Sequence, residues 1–406
     1  MIVTRTPPRA GFFVIFISSS FVHNGQQDLT KSLVMKIASF NVENMFRRTR
    51  VFNQPDADLA RRYSLGAAEL NLLFEREIYS GADKARMVEL LTELGLSKAD
   101  RNRFAIFRSI RGNLFKRTSG KPLEIIAQGR ESWIGWIELE QEPVDAIAIQ
   151  NTARVIRDVD PDILALMEVE DRRALRQFND HVLTQVGGRG YEHIMVIEGN
   201  DERGIDVGVM TRESYPLRLM WSHVHEKSES GFPLFSRDAP EYEVRTPDGD
   251  RIWVIPCHFK SKFGGDNVSS RKKRALQAGK VAEIYKRLRK EGDRNIVVLG
   301  DFNDTPESAP LRSLLKETDL KDVSQHPSFD TGTYKGTGTF GPGTATHKID
   351  YLLLSPDLFK RVTACGLFRK GAWPGGGSKP RWDVYPELKR EEHAASDHHL
   401  IWAELS

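Results

Sequence analysis

Short apolar runs that stop at a polar or ionisable residue recur along this chain. Met35-Lys36-Ile37-Ala38-Ser39-Phe40 ends at Asn41, with Glu43 and Asn44 just beyond. Ile163-Leu164-Ala165-Leu166-Met167 ends at Glu168, and Trp253-Val254-Ile255-Pro256-Cys257 ends at His258. Asn295-Ile296-Val297-Val298-Leu299 runs into Gly300-Asp301-Phe302-Asn303. Asp350 opens the run Tyr351-Leu352-Leu353-Leu354, and Asp397-His398-His399 precedes Leu400-Ile401-Trp402-Ala403. Runs this short and apolar, bounded by turn residues, predict core strands. A bland core gives no reason to place a charge or amide at one end of nearly every strand, because such groups avoid burial unless partnered.

Between these strands the period lengthens to that of helices. Residues 57–79, 82–94 and 143–159 read as helices, the last with Val155, Ile156 and Val159 on one side. Arg271-Lys272-Lys273-Arg274 opens a basic helix reaching Arg289, with Ala275, Leu276, Val281, Ile284, Tyr285 and Leu288 as its apolar stripe. A solvated outer helix is preferred there over a polyanion contact. Residues 103–107, 123–127 and 133–139 read as further strands. Residues 336–346 and 371–379 read as loops, the second followed by Trp382 and Tyr385, which either stack on a ligand or cap the core.

The ordered set Ala38-Ser39-Phe40-Asn41-Val42-Glu43, Ala165-Leu166-Met167-Glu168, Gly208-Val209-Met210-Thr211-Arg212, Cys257-His258-Phe259-Lys260, Gly300-Asp301-Phe302-Asn303, Lys348-Ile349-Asp350-Tyr351 and Ser396-Asp397-His398 resembles the endonuclease/exonuclease/phosphatase superfamily, which includes deoxyribonuclease I. Each motif alone is weak; their order makes the set specific. The resemblance implies an α+β fold, a four-layer α/β sandwich with two mixed β-sheets face to face and helices outside. It implies a catalytic domain over residues 35–406, interrupted by an insertion at about 48–142. A structureless loop of that length is improbable, so the insertion is expected to form a subdomain, serving as a lid or specificity wall.

The implied function is metal-dependent phosphoester hydrolysis, with nucleic-acid phosphodiesters as the leading substrate and endo- or exonuclease action. Alternatives are a phosphomonoesterase or sphingomyelinase-like lipid phosphodiesterase of the same superfamily, or a non-catalytic polyanion-binding scaffold. A scaffold has no physical need for so many clustered like charges. Glu168 matches the family's metal-binding Glu, with Asn41, Glu43 and Asp397 completing an oxygen-rich shell suited to Mg²⁺ or Mn²⁺. His398 is expected as base or as charge stabiliser on the phosphate, its ring fixed by Asp350. Asp301 is expected to orient or deprotonate the attacking water, and Asn303 to donate to a phosphate oxygen. Whether Asp301 or His398 takes the proton stays open. His258 is a candidate acid for the leaving oxygen; family members similar to exonuclease III usually carry Tyr there. Lys260 and Lys262 are candidate phosphate contacts. Arg203 either reaches the site floor or forms a structural ion pair.

Composition adds bounds. The chain has 406 residues, with 59 basic against 56 acidic side chains, so polyanion binding is permitted but not demanded. The cysteines are Cys257 and Cys365, and Cys257 falls in a predicted buried strand, which argues against a disulfide framework. Arg5 and Arg9 precede an apolar stretch, Phe12 to Ile17, so residues 1–34 read as a weak signal peptide or as an extension ahead of a true start at Met35, which is preferred. Cytoplasmic location follows from a Met35 start, and secretion from a signal peptide. No integral membrane span, no stable protein partner and a monomeric state are expected.

Overall fold

A computed structural model describes residues 34–43, 57–140, 145–201, 203–262, 266–375 and 380–406. The expectations for residues 1–33 lie outside them. Two compact units are distinguished among the described residues: those within 34–43, 147–260 and 271–406 form one, and those within 57–146 and 261–270 form the other.

The first unit holds two mixed sheets. The seven-stranded sheet runs, edge to edge, Phe329–Asp330, Val362–Phe368, Leu400–Leu405, Met35–Asn41, Ile163–Val169, Asp206–Thr211 and His193–Ile197. The six-stranded sheet runs Lys321–Asp322, Asp350–Leu354, Ile296–Asp301, Arg251–His258, Glu241–Arg245 and Leu217–Trp221. Strand alternation sorts their side chains into two layers. Ile252, Val254, Val297, Leu299, Leu352 and Leu354 face Ile37, Ile163, Ala165, Val209, Ile401 and Ala403, so the sheets close face to face over one core. Trp253, Ile255, Cys257, Ile296 and Val298 point the other way, against Ala278, Val281, Ala282, Tyr285 and Leu288 of the helix Val268–Lys290. The α+β architecture is the expected one.

The basic helix forms where predicted, but its apolar stripe begins later. Ala275 and Leu276 are exposed, while Arg274 and Gln277 are fully buried. These two polar residues face inward because they have partners there: Arg274 Nε donates to Asp304 at 3.0 Å, and Gln277 Nε2 to the Leu234 carbonyl at 3.1 Å. Trp382 and Tyr385 are also buried and bonded, Trp382 Nε1 to the Ala372 carbonyl and the Tyr385 hydroxyl to Asp158. They cap the core. Both cysteines are buried and free.

The second unit contains the helices Ala57–Phe74 and Gly81–Glu93, the antiparallel pair Ala105–Arg111 and Ile134–Leu139, and the short pair Phe115–Lys116 and Glu124–Ile125. Ser80 caps its second helix in a reciprocal box with Asp83. It has its own core of Leu70, Phe74, Met87, Leu90, Leu91, Leu94 and the fully buried Trp133, whose indole stacks on Phe107 at 5.6 Å. Among the described residues no helix is long and apolar enough to cross a membrane.

Candidate active site

Three strands of the six-stranded sheet end in register. His258 lies opposite Asp301, and Asp301 opposite Asp350. Neighbouring strands lie about 4.8 Å apart, so this register sets three ionisable side chains side by side on one face. The next residue on each strand points to the other face. There Phe259, Phe302 and Tyr351 stack in succession, with ring centroids 4.8 and 4.7 Å apart. The polar row therefore stands on a rigid aromatic row. Gly300 makes this possible: its φ is 135°, and a Cβ there would meet the Cys257 carbonyl oxygen at 1.9 Å.

The seven-stranded sheet supplies the facing groups. Asn41 is paired with Met167, which puts Glu168 one residue beyond, at a strand irregularity. Glu168, Glu43 and Asn303 all adopt left-handed backbone, with φ of 66°, 46° and 54°. Among the described non-glycine residues Asp160 alone joins them, so backbone strain concentrates at this site. Asp397 and His398 enter beside Asn41, because Ser396 Oγ donates to the Asn41 carbonyl at 2.7 Å and accepts from the His398 N–H at 2.9 Å.

Asp301 is the hub. Its Oδ1 accepts from the Asn303 N–H at 2.8 Å; its Oδ2 accepts from Asn303 Nδ2 at 3.0 Å and Asn41 Nδ2 at 3.2 Å. His258 Nε2 stands 3.5 Å and His398 Nε2 3.9 Å from the same oxygen. His398 Nδ1 lies 3.1 and 2.9 Å from the two Asp350 oxygens, and Phe340 packs on its ring at 4.9 Å. The Asp350 N–H donates to Thr339 Oγ1 at 2.9 Å, as does that of Ile349 at 3.0 Å, so one hydroxyl fixes the backbone that carries the dyad's acid. His258 Nε2 is also 3.9 Å from Glu168 Oε1.

This density of acids shifts proton affinities. Burial, then the Asp350 charge, pushes Asp301 up to about 7. Burial raises Asp397 as well, with Glu168 adding to it. Enclosure of its carboxyl, followed by Asp397, pushes Glu43 up to about 8, although the residue as a whole keeps an exposed side. For His398, burial pulls downward, but Asp350, Asp397 and Asp301 outweigh it and hold the imidazolium well above the ordinary range. For His258 burial wins, assisted by Arg237 and Arg203, and the ring is neutral.

The donor set fits a divalent cation. Asp397 Oδ1 is a buried carboxylate oxygen with no hydrogen-bond partner among the described residues, and the Glu168 charge adds to the cost of ionising both Glu43 and Asp397. Asp301, Asp350 and His398 also present ligand atoms within 4.8 Å of one another. The Asp350 oxygens are already turned to His398, which favours the acids nearer Glu168 as the cation's shell.

The remaining expected residues fall as follows. Arg203 forms the ion pair: its Nε and Nη2 bond Asp201 at 3.1 and 2.9 Å. Lys260 follows Phe259, half-buried. Lys262 lies in the segment 261–270, which groups with the second unit. Arg237 was not legible from the sequence. It is buried, holds Asp201 through Nη1 at 2.9 Å and donates through Nη2 to the Phe259 carbonyl at 3.0 Å. In Ser236-Arg237-Asp238-Ala239-Pro240 it carries no periodic signal and reads as a solvated loop charge.

Residues 144–398 match the model of the Endonuclease/Exonuclease/phosphatase family, and the chain belongs to that family of hydrolases, whose enzymes are generally divalent-metal dependent. Among solved structures it is similar to truncated TDP2 of Caenorhabditis elegans, at 18% identity and TM-score 0.44 over 64% of this chain and 89% of that one. It is also similar to a mannosyl-6-phosphatase of Bacteroides thetaiotaomicron, at 15% identity and TM-score 0.46 over 64% and 90%. The human Nocturnin catalytic domain matches at 14% identity and TM-score 0.43 over 63% and 86%. No curated protein matches the chain.

Because Asp301 binds its proton more tightly in the folded chain, its own contribution to the stability of metal-free protein is lost as pH rises from the ordinary carboxylate range toward about 7. Glu43, among the acids nearer Glu168, is raised to about 8 in the same sense, so a cation held there would compete with its proton. Mg²⁺ or Mn²⁺ is therefore expected to raise the melting temperature more at about pH 8 than at about pH 5.5, as thermal melts with and without EDTA would show. An equal gain at both values would contradict the shared site.

Proposed function

We propose that this chain is a Mg²⁺- or Mn²⁺-dependent phosphodiesterase acting on nucleic-acid phosphodiesters by in-line attack of water. The carrying observation is the convergence of Asp301, the His398–Asp350 dyad, Asn41 and Glu168 at one end of two facing sheets. A cation held by Glu168 with Asn41, Glu43 and Asp397 would neutralise phosphate oxygens and the leaving oxygen.

The protein's own groups divide the remaining work. Asp301, oriented by three N–H donors, is suited to orient the attacking water and take its proton. His398, held as imidazolium by Asp350, is suited to face a phosphate oxygen as a charged donor. His258 enters as neutral imidazole, a hydrogen-bond donor to the ester rather than a charged acid. Asn303 spends Nδ2 on Asp301 and on the Phe259 carbonyl at 3.2 Å, so it fixes the carboxylate before it can donate to substrate.

Hydrolysis of plasmid DNA, single-stranded DNA, RNA, sphingomyelin and bis-p-nitrophenyl phosphate, each with EDTA and then with restored Mg²⁺ or Mn²⁺, tests the proposal. Reversible, cation-dependent cleavage of nucleic acid is expected. Cleavage of sphingomyelin alone, or turnover indifferent to EDTA, would overturn it.

A further inference from the structure

Beside the hydrolytic centre lies a group of cations that the chemistry above does not use. Asp201 accepts from Arg203 through Nε, Nη2 and the backbone N–H, and from Arg237 Nη1. That one carboxylate is saturated; Glu168 and Asp301 also act on Arg237, and Glu168 on Arg203, through space rather than through a hydrogen bond among the described residues. Arg237 is 2% exposed, and its Nε has no hydrogen-bond partner among the described residues. Leaving such a donor buried and unpaired is costly unless a ligand completes it.

Two lysines join the pair through the chain. Lys260 follows Phe259, whose carbonyl receives Arg237 Nη2 at 3.0 Å. Lys273 Nζ donates to Ser236 Oγ at 3.0 Å, next to Arg237. Both lysines are half-buried. After burial itself, Arg237 is the largest influence lowering the proton affinity of each, so these cations destabilise one another. An incoming dianion would relieve that repulsion.

The link to the hydrolytic centre is short. Asn303 Nδ2 and Arg237 Nη2 donate to the same Phe259 carbonyl oxygen, and Asn303 Nδ2 also bonds Asp301. The cationic group therefore stands one residue removed from the carboxylate assigned to the attacking water.

We propose that Arg203, Lys260 and Lys273, backed by the buried Arg237, form a second anion subsite that binds a phosphate of the substrate other than the one cleaved. The preferred substrate is then a phosphoester bearing a further phosphate close to the scissile one. This rests on the phosphoester-hydrolase reading. The half-buried Lys260 and Lys273 recognise the dianion as point charges, and Arg203 can offer the guanidinium edge that Asp201 leaves free.

Binding and turnover separate this proposal from the reading beneath it. In EDTA, isothermal titration is expected to show thymidine 3′,5′-bisphosphate binding about tenfold or more tighter than thymidine 5′-monophosphate. Lys260→Ala and Lys273→Ala, checked for folding by circular dichroism, are expected to remove most of that difference. With Mn²⁺, the p-nitrophenyl ester of thymidine 5′-phosphate should be cleaved with higher kcat/KM when it also carries a 3′-phosphate, chiefly through KM. Equal affinity for the two nucleotides, or folded lysine variants that keep the full preference, would overturn the subsite. Cleavage of both esters at equal efficiency would overturn it too, while the hydrolase reading stands. A bisphosphate preference in binding with neither ester cleaved would support the subsite and overturn the phosphodiesterase reading.

Discussion

Replacing His398 with Ala is expected to lower kcat on a phosphodiester by about 10²- to 10⁴-fold, the range typical of a positioned acid–base or charge-stabilising group. Its imidazole is the hydrogen-bond partner of both Asp350 oxygens and stands 3.9 Å from Asp301 and 3.7 Å from Asp397. Deletion removes a cation from among three acids and leaves Asp350 without its partner, so the variant also melts at lower temperature. The two effects separate by measurement. A folded variant that still binds Mn²⁺ but turns over slowly supports the role in chemistry. Near-normal kcat at saturating metal would remove it.

Glu168→Gln is the second large expectation. The substitution preserves shape at a residue already in left-handed backbone, so it isolates charge from strain. It leaves Asp397 and Glu43 as the nearest acids of the shell and takes away the carboxylate that faces His258 at 3.9 Å. The metal concentration for half-maximal activity is expected to rise about 10- to 100-fold, by analogy with losses of metal-site groups generally. Part of the rate should return at high metal. An unchanged titration curve would show that Glu168 does not hold the ion.

Much of this site could be read from the chain because strands announce their ends. Asn41, Glu168, His258, Asp301, Asp350 and His398 each close or open an apolar run, and in the structure all six meet. The residues that complete it carried no such mark. Arg237 works through a backbone carbonyl and a distant acid, neither of which has a sequence period. Thr339 looked like one more residue of a Gly/Thr-rich loop, yet its hydroxyl anchors the Asp350 backbone. The helix stripe was misplaced at Ala275 and Leu276 because hydrophobicity alone cannot foresee that Arg274 and Gln277 find partners inside. Sequence alone leaves the choice between Asp301 and His398 open for a similar reason. Proton affinities depend on which acids surround each group in space, and only the folded arrangement puts Asp350 against both.

The most direct measurement is anomalous scattering from crystals soaked in Mn²⁺. One strong peak is expected, bonded to the Glu168 carboxylate at about 2.1 Å, with Asp397 or Asn41 oxygen in the same shell. A peak elsewhere with Glu168 unliganded, or no peak at this end of the sheets at saturating Mn²⁺, would contradict it.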